Sequence, residues 1–160
     1  MPIVTTYLEM TSRDQLVPKR CDDPRFRVLQ ATVPQGQLNR FLYILVGQPW
    51  SWTDRLKWSD AEWEAYAAQT AVRTFVGYWE GSPAGYFELR GTDEIEIAYF
   101  GLAPKFIGRG LGGPLLTAAL EHAWSCQPRR VWVHTCTADH PAALQNYEAR
   151  GLRIYRTEAA

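Results

Sequence analysis

The chain has 160 residues, enough for one domain that buries its own core without disulfide or metal staples. Apolar residues make up 46% of it and the formal net charge is zero, which argues against a protein built mainly to grip nucleic acid through a basic surplus, a local basic patch aside. Three cysteines, Cys21, Cys126 and Cys136, make no disulfide framework, no leader peptide is visible, and the longest apolar run, 41–47, is too short to span a membrane. A soluble cytoplasmic protein is expected, with no nucleic acid or membrane among its partners.

Residues 3–9 are rich in β-branched side chains and predict a first strand. Residues 18–24 predict a loop, and 26–33 a second strand closed by Pro34 and Gly36. The apolar stretch 38–46 fits helix or strand. Four tryptophans, Trp50, Trp52, Trp58 and Trp63, then fall within fourteen residues. Ser59 and Glu62 have capping-box spacing and open a helix to about residue 69. The segments 73–80 and 84–90 flank Gly81-Ser82-Pro83 and predict a hairpin. Residues 95–102 predict a strand, 110–124 a helix with Leu115, Leu116, Ala119, Leu120 and Ala123 at helical spacing, and 131–137 a strand. A helix from Pro141 to the Gly151 cap and a last strand, 152–157, complete the chain. The expected fold class is α/β (α+β): one domain, 1–160, with a mixed, mostly antiparallel sheet of six or seven strands and about four helices.

The segment Gly108-Arg109-Gly110-Leu111-Gly112-Gly113 puts four glycines in six residues directly before a helix. A helix N-terminus leaves backbone N–H groups without intrahelical partners, and glycine lets a ligand approach them closely, so the segment predicts a phosphate cradle. A P-loop needs Gly-Lys-Ser or Gly-Lys-Thr at its end, where Gly112-Gly113-Pro114 stands instead. Gly108, Gly110 and Gly113 satisfy a dinucleotide fingerprint, but residues 103–107 separate it from its strand and only about fifty residues follow.

The segment 98–112 resembles the cofactor motif of the GCN5-related N-acetyltransferase family: a strand, a short proline-containing loop, then Gln/Arg-x-x-Gly-x-Gly/Ala opening a helix. Gly110 and Gly112 match the small positions, and Ile107 replaces the usual Gln or Arg. Residues 140–152 resemble the family's C-terminal motif, Asn-x-x-Ala-x-x-x-Tyr-x-x-x-Gly-Phe. Ala143, Tyr147 and Gly151 match, His140 replaces Asn, and Leu152 replaces Phe. The resemblance covers residues 85–157, the expected cofactor-side half, and leaves 1–84 as the acceptor-side half.

The resemblance implies transfer of an acetyl group from acetyl-CoA, a co-substrate, to an amine that attacks the thioester directly. It places the pyrophosphate on Ile107, Gly108, Arg109, Gly110, Leu111, Gly112 and Gly113, the pantetheine arm along the backbone of Phe100 and Leu102, and His140 beside the cofactor. Tyr147 is the candidate acid for the leaving thiolate, since a phenol's ordinary pKa suits that role. Glu96 is the candidate base, and strand alternation puts it on the face of Ala98 and Phe100, with burial there expected to raise its pKa. Trp50 and Trp52 are expected to line the acceptor pocket. The acceptor is expected to be a small-molecule amine, with a protein amine and a homodimer left open. A metal site from Cys126, His134, Cys136 and His140 lacks zinc-like spacing, so no metal is expected. An acyl-CoA sensor or scaffold of the same fold, without turnover, is the alternative.

Overall fold

The computed structural model describes residues 2–160. The strands are β1 (Val4–Met10), β2 (Phe26–Ala31), β3 (Val72–Trp79), β4 (Ser82–Arg90), β5 (Glu94–Leu102), β6 (Arg130–Cys136) and β7 (Arg153–Ala159). The helices are α1 (Gly36–Gly47), α2 (Asp60–Ala67), α3 (Gly112–Ser125) and α4 (Ala143–Ala149). All seven strands form one sheet in the order β2-β3-β4-β5-β6-β1-β7, in which only β5 and β6 run parallel. This is the mixed sheet with four helices that the sequence predicts.

The ambiguous stretch 38–46 is helical. Asn39, Leu42, Tyr43 and Val46 form its buried face, at helical spacing, against the sheet. Ser59 and Glu62 make both bonds of the capping box that starts α2. The β3–β4 turn falls one residue early. Glu80 and Gly81 take positive φ, as a two-residue hairpin turn requires, so Ser82 and Pro83 belong to β4. Pro83 is tolerated because the register shifts beside it, between Gly77 and Tyr78. Helix α3 begins at Gly112 rather than Gly110.

The helices cover opposite faces of the sheet. Leu115, Leu116, Ala119, Leu120 and Ala123 of α3 and Tyr147 of α4 join Phe87, Leu89, Ile95 and Ile97 in the larger core. On the other face Leu42 and Val46 of α1 pack with Val76 and Tyr86. The division into an acceptor half and a cofactor half is less clean than the sequence suggests. Strand β1, from the first ten residues, lies between β6 and β7 at the C-terminal end of the sheet.

Two irregularities shape the site. The parallel pairing of β5 with β6 covers only Glu94 to Glu96 against Arg130 to Trp132. Beyond it β5 stays with β4 and β6 stays with β1, so the sheet opens between them. Within β5 the register against β4 also shifts, from Ile97 opposite Leu89 to Tyr99 opposite Glu88, which leaves Ala98 as a bulge. The bulge overturns the predicted alternation. Glu96 and Tyr99 stand with Arg90 and Glu88 on the α1 side, whereas Phe100 packs into the core beneath α3 and α4.

Candidate active site

The opening between β5 and β6 leads into a cavity of about 1040 Å³. One wall of it is the end of β5, the glycine loop and the start of α3. Phe100, Leu102, Ile107, Gly108, Gly110, Leu111, Gly112 and Gly113 all line it. Gly108 and Gly110 have φ of +83° and +78°, a conformation that side-chain-bearing residues rarely adopt, and no atom would lie within 4 Å of a Cβ at either. The loop is therefore an open backbone cradle at the N-terminus of a fourteen-residue helix. Arg109 departs from expectation. It does not line the cavity, and its guanidinium rests over the Phe106 ring, 5.2 Å from the centroid. Gly113 serves packing as well, since a Cβ there would meet Arg150 and Lys19.

Tyr147 lines the same cavity from α4 and packs against Phe100, with ring centroids 5.9 Å apart. It is 5% exposed, and burial, helped by the negative charge of Asp139, pushes its phenol well above the usual tyrosine range. A phenol so placed stays protonated at neutral pH. His140 accepts from the Ala142 N–H through Nδ1 at 2.9 Å and meets the Trp50 ring edge-on at 4.9 Å. Trp50 thus packs against the residue that leads into α4.

Trp52 belongs to the opposite wall. It packs against Tyr43 and Tyr99, with centroids 5.8 and 5.2 Å away. Tyr43 and Tyr99 each donate to Asp54, at 2.5 and 3.0 Å, and burial followed by that bond pushes the Tyr43 phenol up to about 12. Glu96 faces this wall too, but not as an isolated carboxylate. Its Oε1 accepts from Nε and Nη2 of Arg90 at 3.2 and 2.7 Å, and its Oε2 lies 3.9 Å from Nε2 of His134. The expected apolar setting beside Phe100 is therefore replaced by an ion pair.

Several lining residues carry no motif in the sequence: Asp54, Arg55, Arg90, Tyr99, His134 and Asn146. Asn146 donates to the Gly112 carbonyl at 3.0 Å and so ties α4 to the loop. Its position next to Tyr147 is the one signal that pointed to it. Among the described residues no group of three or more His, Cys, Asp or Glu side chains is arranged to hold a metal ion, and no helix is long and apolar enough to cross a membrane.

A sheet split at its parallel pair, with a glycine cradle opening the next helix and a tyrosine facing it, defines the architecture of the GCN5-related acyltransferases. The chain belongs to the acetyltransferase (GNAT) family, whose model matches residues 38–152. A mycothiol acetyltransferase of Corynebacterium aurimucosum is 30% identical over 96 residues, which is 58% of this chain and 29% of that protein. A GCN5-related N-acetyltransferase from Sphaerobacter thermophilus superimposes with a TM-score of 0.75 at 14% identity, covering 99% of this chain and 50% of that one. One from Kribbella flavida gives 0.69 at 13%, covering 99% and 58%. A soil-metagenome aminoglycoside acetyltransferase gives 0.65 at 16%, covering 80% and 88%. The chain thus spans half to three fifths of the first two structures and under a third of the mycothiol acetyltransferase.

Proposed function

We propose that the protein transfers an acetyl group from acetyl-CoA to the primary amine of a small-molecule acceptor in the cytoplasm. The observation that carries this reading is one cleft in which the glycine cradle and Tyr147 face a polar and aromatic wall. The cradle's free N–H groups and the α3 dipole suit a pyrophosphate. The unpaired edge of β5 at Phe100 and Leu102 suits a pantetheine arm, which adds to it as an extended strand does.

In this mechanism the neutral amine attacks the thioester carbonyl and forms the C–N bond. A β5 backbone N–H steadies the developing oxyanion, the C–S bond breaks, and Tyr147 gives its proton to the leaving thiolate. The amine's surplus proton passes to Glu96, whose Oε2 is the oxygen that Arg90 does not hold, or to water. Small-molecule acceptors are supported by the chain's similarity to a mycothiol acetyltransferase and an aminoglycoside acetyltransferase.

The test is thiol release from acetyl-CoA across a panel of amines. Amine-dependent release with one N-acetyl product per thiol is expected. Tight acetyl-CoA binding with no release across the panel would overturn the reading in favour of a non-catalytic acyl-CoA-binding module.

A further inference from the structure

The acceptor wall contains a buried cation that the transfer mechanism does not use. Arg55 is 6% exposed yet lines the cavity, carried there by the loop between α1 and α2. Its Cζ lies 4.5, 4.1 and 4.4 Å from the ring centroids of Trp58, Tyr66 and Tyr99. Its nearest carboxylate is Glu88, with Nη1 3.7 Å from Oε1, too far for a hydrogen bond, and that Nη1 is buried without any hydrogen-bond partner. Glu88 is satisfied by other donors, the Tyr66 hydroxyl at 2.7 Å and the Asn39 amide at 2.8 Å.

Aromatic faces stabilise the plane of a guanidinium but give its in-plane N–H groups no acceptor. Nη1 is turned to Glu88, so what Arg55 offers the cavity is a planar charge whose one recorded carboxylate neighbour lies beyond hydrogen-bond reach, and such a charge suits a planar oxyanion. Arg55 packs on Tyr99, on the α1 side of the sheet, whereas the cradle opens α3, which packs on the other face, so the pyrophosphate proposed for the cradle is not its partner. Asp54, which also lines the cavity and accepts from the Tyr99 hydroxyl, limits what the anion can belong to. It accepts from two phenols and has no cationic side chain within salt-bridge distance among the described residues. A second negative charge on the acceptor would face it unfavourably, whereas an ammonium would not.

We infer that the acceptor is a zwitterionic aminocarboxylate of the amino-acid type, whose carboxylate docks on the guanidinium of Arg55 while its amine points to the thioester. This rests on the transfer reading above and narrows it. It also sets the protein apart from acetylation of polycationic amines, which would place positive charge against Arg55.

The experiment compares matched acceptors. Each of the common amino acids is assayed with acetyl-CoA against its own carboxamide. The expected result is at least a tenfold higher kcat/KM for the best acid than for its amide. Arg55→Lys, which keeps a charge opposite Glu88 but removes the planar guanidinium, is expected to cut that preference below threefold with little change in the KM for acetyl-CoA. Equal or better turnover of the amide by the unaltered enzyme would overturn the proposal, as would full preference in R55K. If R55K does not fold, the double variant Arg55→Met, Glu88→Gln, which removes both charges, is measured in its place with the same expectation. A turnover-free arm uses tryptophan fluorescence of the CoA-bound enzyme titrated with N-acetyl amino acids and with their amides. Binding confined to the acids, without amine-dependent thiol release, would sink the transfer reading and leave the docking site standing. Absence of any acid-selective binding would sink the docking site even if other amines are acetylated.

Discussion

The two walls of the cleft are made of different material. The wall proposed to hold the cofactor, the cofactor wall, is mostly backbone: an unpaired strand edge, two glycines with positive φ and a helix N-terminus. The wall proposed to hold the acceptor, the acceptor wall, is side chains held by other side chains. Glu88 takes Tyr66 and Asn39, Asp54 takes Tyr43 and Tyr99, and Arg55 is caged by rings. A wall of main chain recognises one ligand and is hard to alter without altering the fold. A wall of interlocked side chains can be re-specified by substitution, but its buried charges make each member costly to remove.

That contrast predicts its largest effect at Glu88. Removing the carboxylate leaves Arg55 charged in a buried site and strips the Tyr66 hydroxyl and the Asn39 amide of their acceptor. Glu88→Ala should lose about 3–5 kcal/mol of unfolding free energy. Asn146→Ala, which removes a single neutral bond to the cofactor wall, should lose only about 1 kcal/mol. Urea unfolding of both variants measures the difference. Equal losses would mean that the acceptor wall is no more interlocked than its counterpart.

Next in size is Tyr147→Phe. The change keeps the packing against Phe100 and removes the proton donor. It should lower kcat by about a hundredfold, roughly 2.7 kcal/mol, with the KM for acetyl-CoA little changed. The pH dependence has a definite sign. Burial and Asp139 raise the phenol's pKa, so its acidic, active form persists to higher pH than that of an ordinary tyrosine. The kcat of the unaltered enzyme should therefore show no alkaline fall from this group up to about pH 10. A fall near pH 8 that Tyr147→Phe abolishes would contradict the environment described here.

Gly110→Val is a smaller and more selective blow to the cofactor wall. Space is open around the position, so the penalty is conformational: a β-branched residue at φ +78° costs about 1–2 kcal/mol. The expected consequence is a five- to thirtyfold rise in the acetyl-CoA dissociation constant by calorimetry, with acceptor discrimination preserved. Loss of discrimination instead would show that the two walls are not independent.

The two walls were also unequally legible from the sequence. Gly108 and Gly110 announce themselves because few other residues take positive φ, and the capping box at Ser59 and the helical spacing of Leu115 to Ala123 are local signals too. The acceptor wall depends on pairs far apart in the chain, such as Asn39 with Glu88 and Asp54 with Tyr99, and no local pattern encodes them. The failure of Phe100 to share a face with Glu96 has a specific cause. Alternation assumes an unbroken strand, and the bulge at Ala98 moves every residue after it to the other face. Similarly, the position of β1 between β6 and β7 is a pairing of chain ends that strand propensity cannot choose.

The smallest predicted effect concerns Ile107, where the proposed cofactor wall lacks the Gln or Arg its family usually supplies. Ile107 lines the cavity at the mouth of the cradle, and the nearby Arg109 is folded over Phe106 rather than turned toward the ligand. If the cradle works through main-chain donors, adding a cation there should help only at the margin of a screened surface site, by about 0.3–1 kcal/mol. Ile107→Arg should then lower the acetyl-CoA dissociation constant by no more than about fivefold at low salt, and the gain should vanish as ionic strength rises. A gain of a hundredfold that survives high salt would show that the backbone cradle alone is an incomplete site, and that the cofactor wall, like the acceptor wall, takes its strength from side chains.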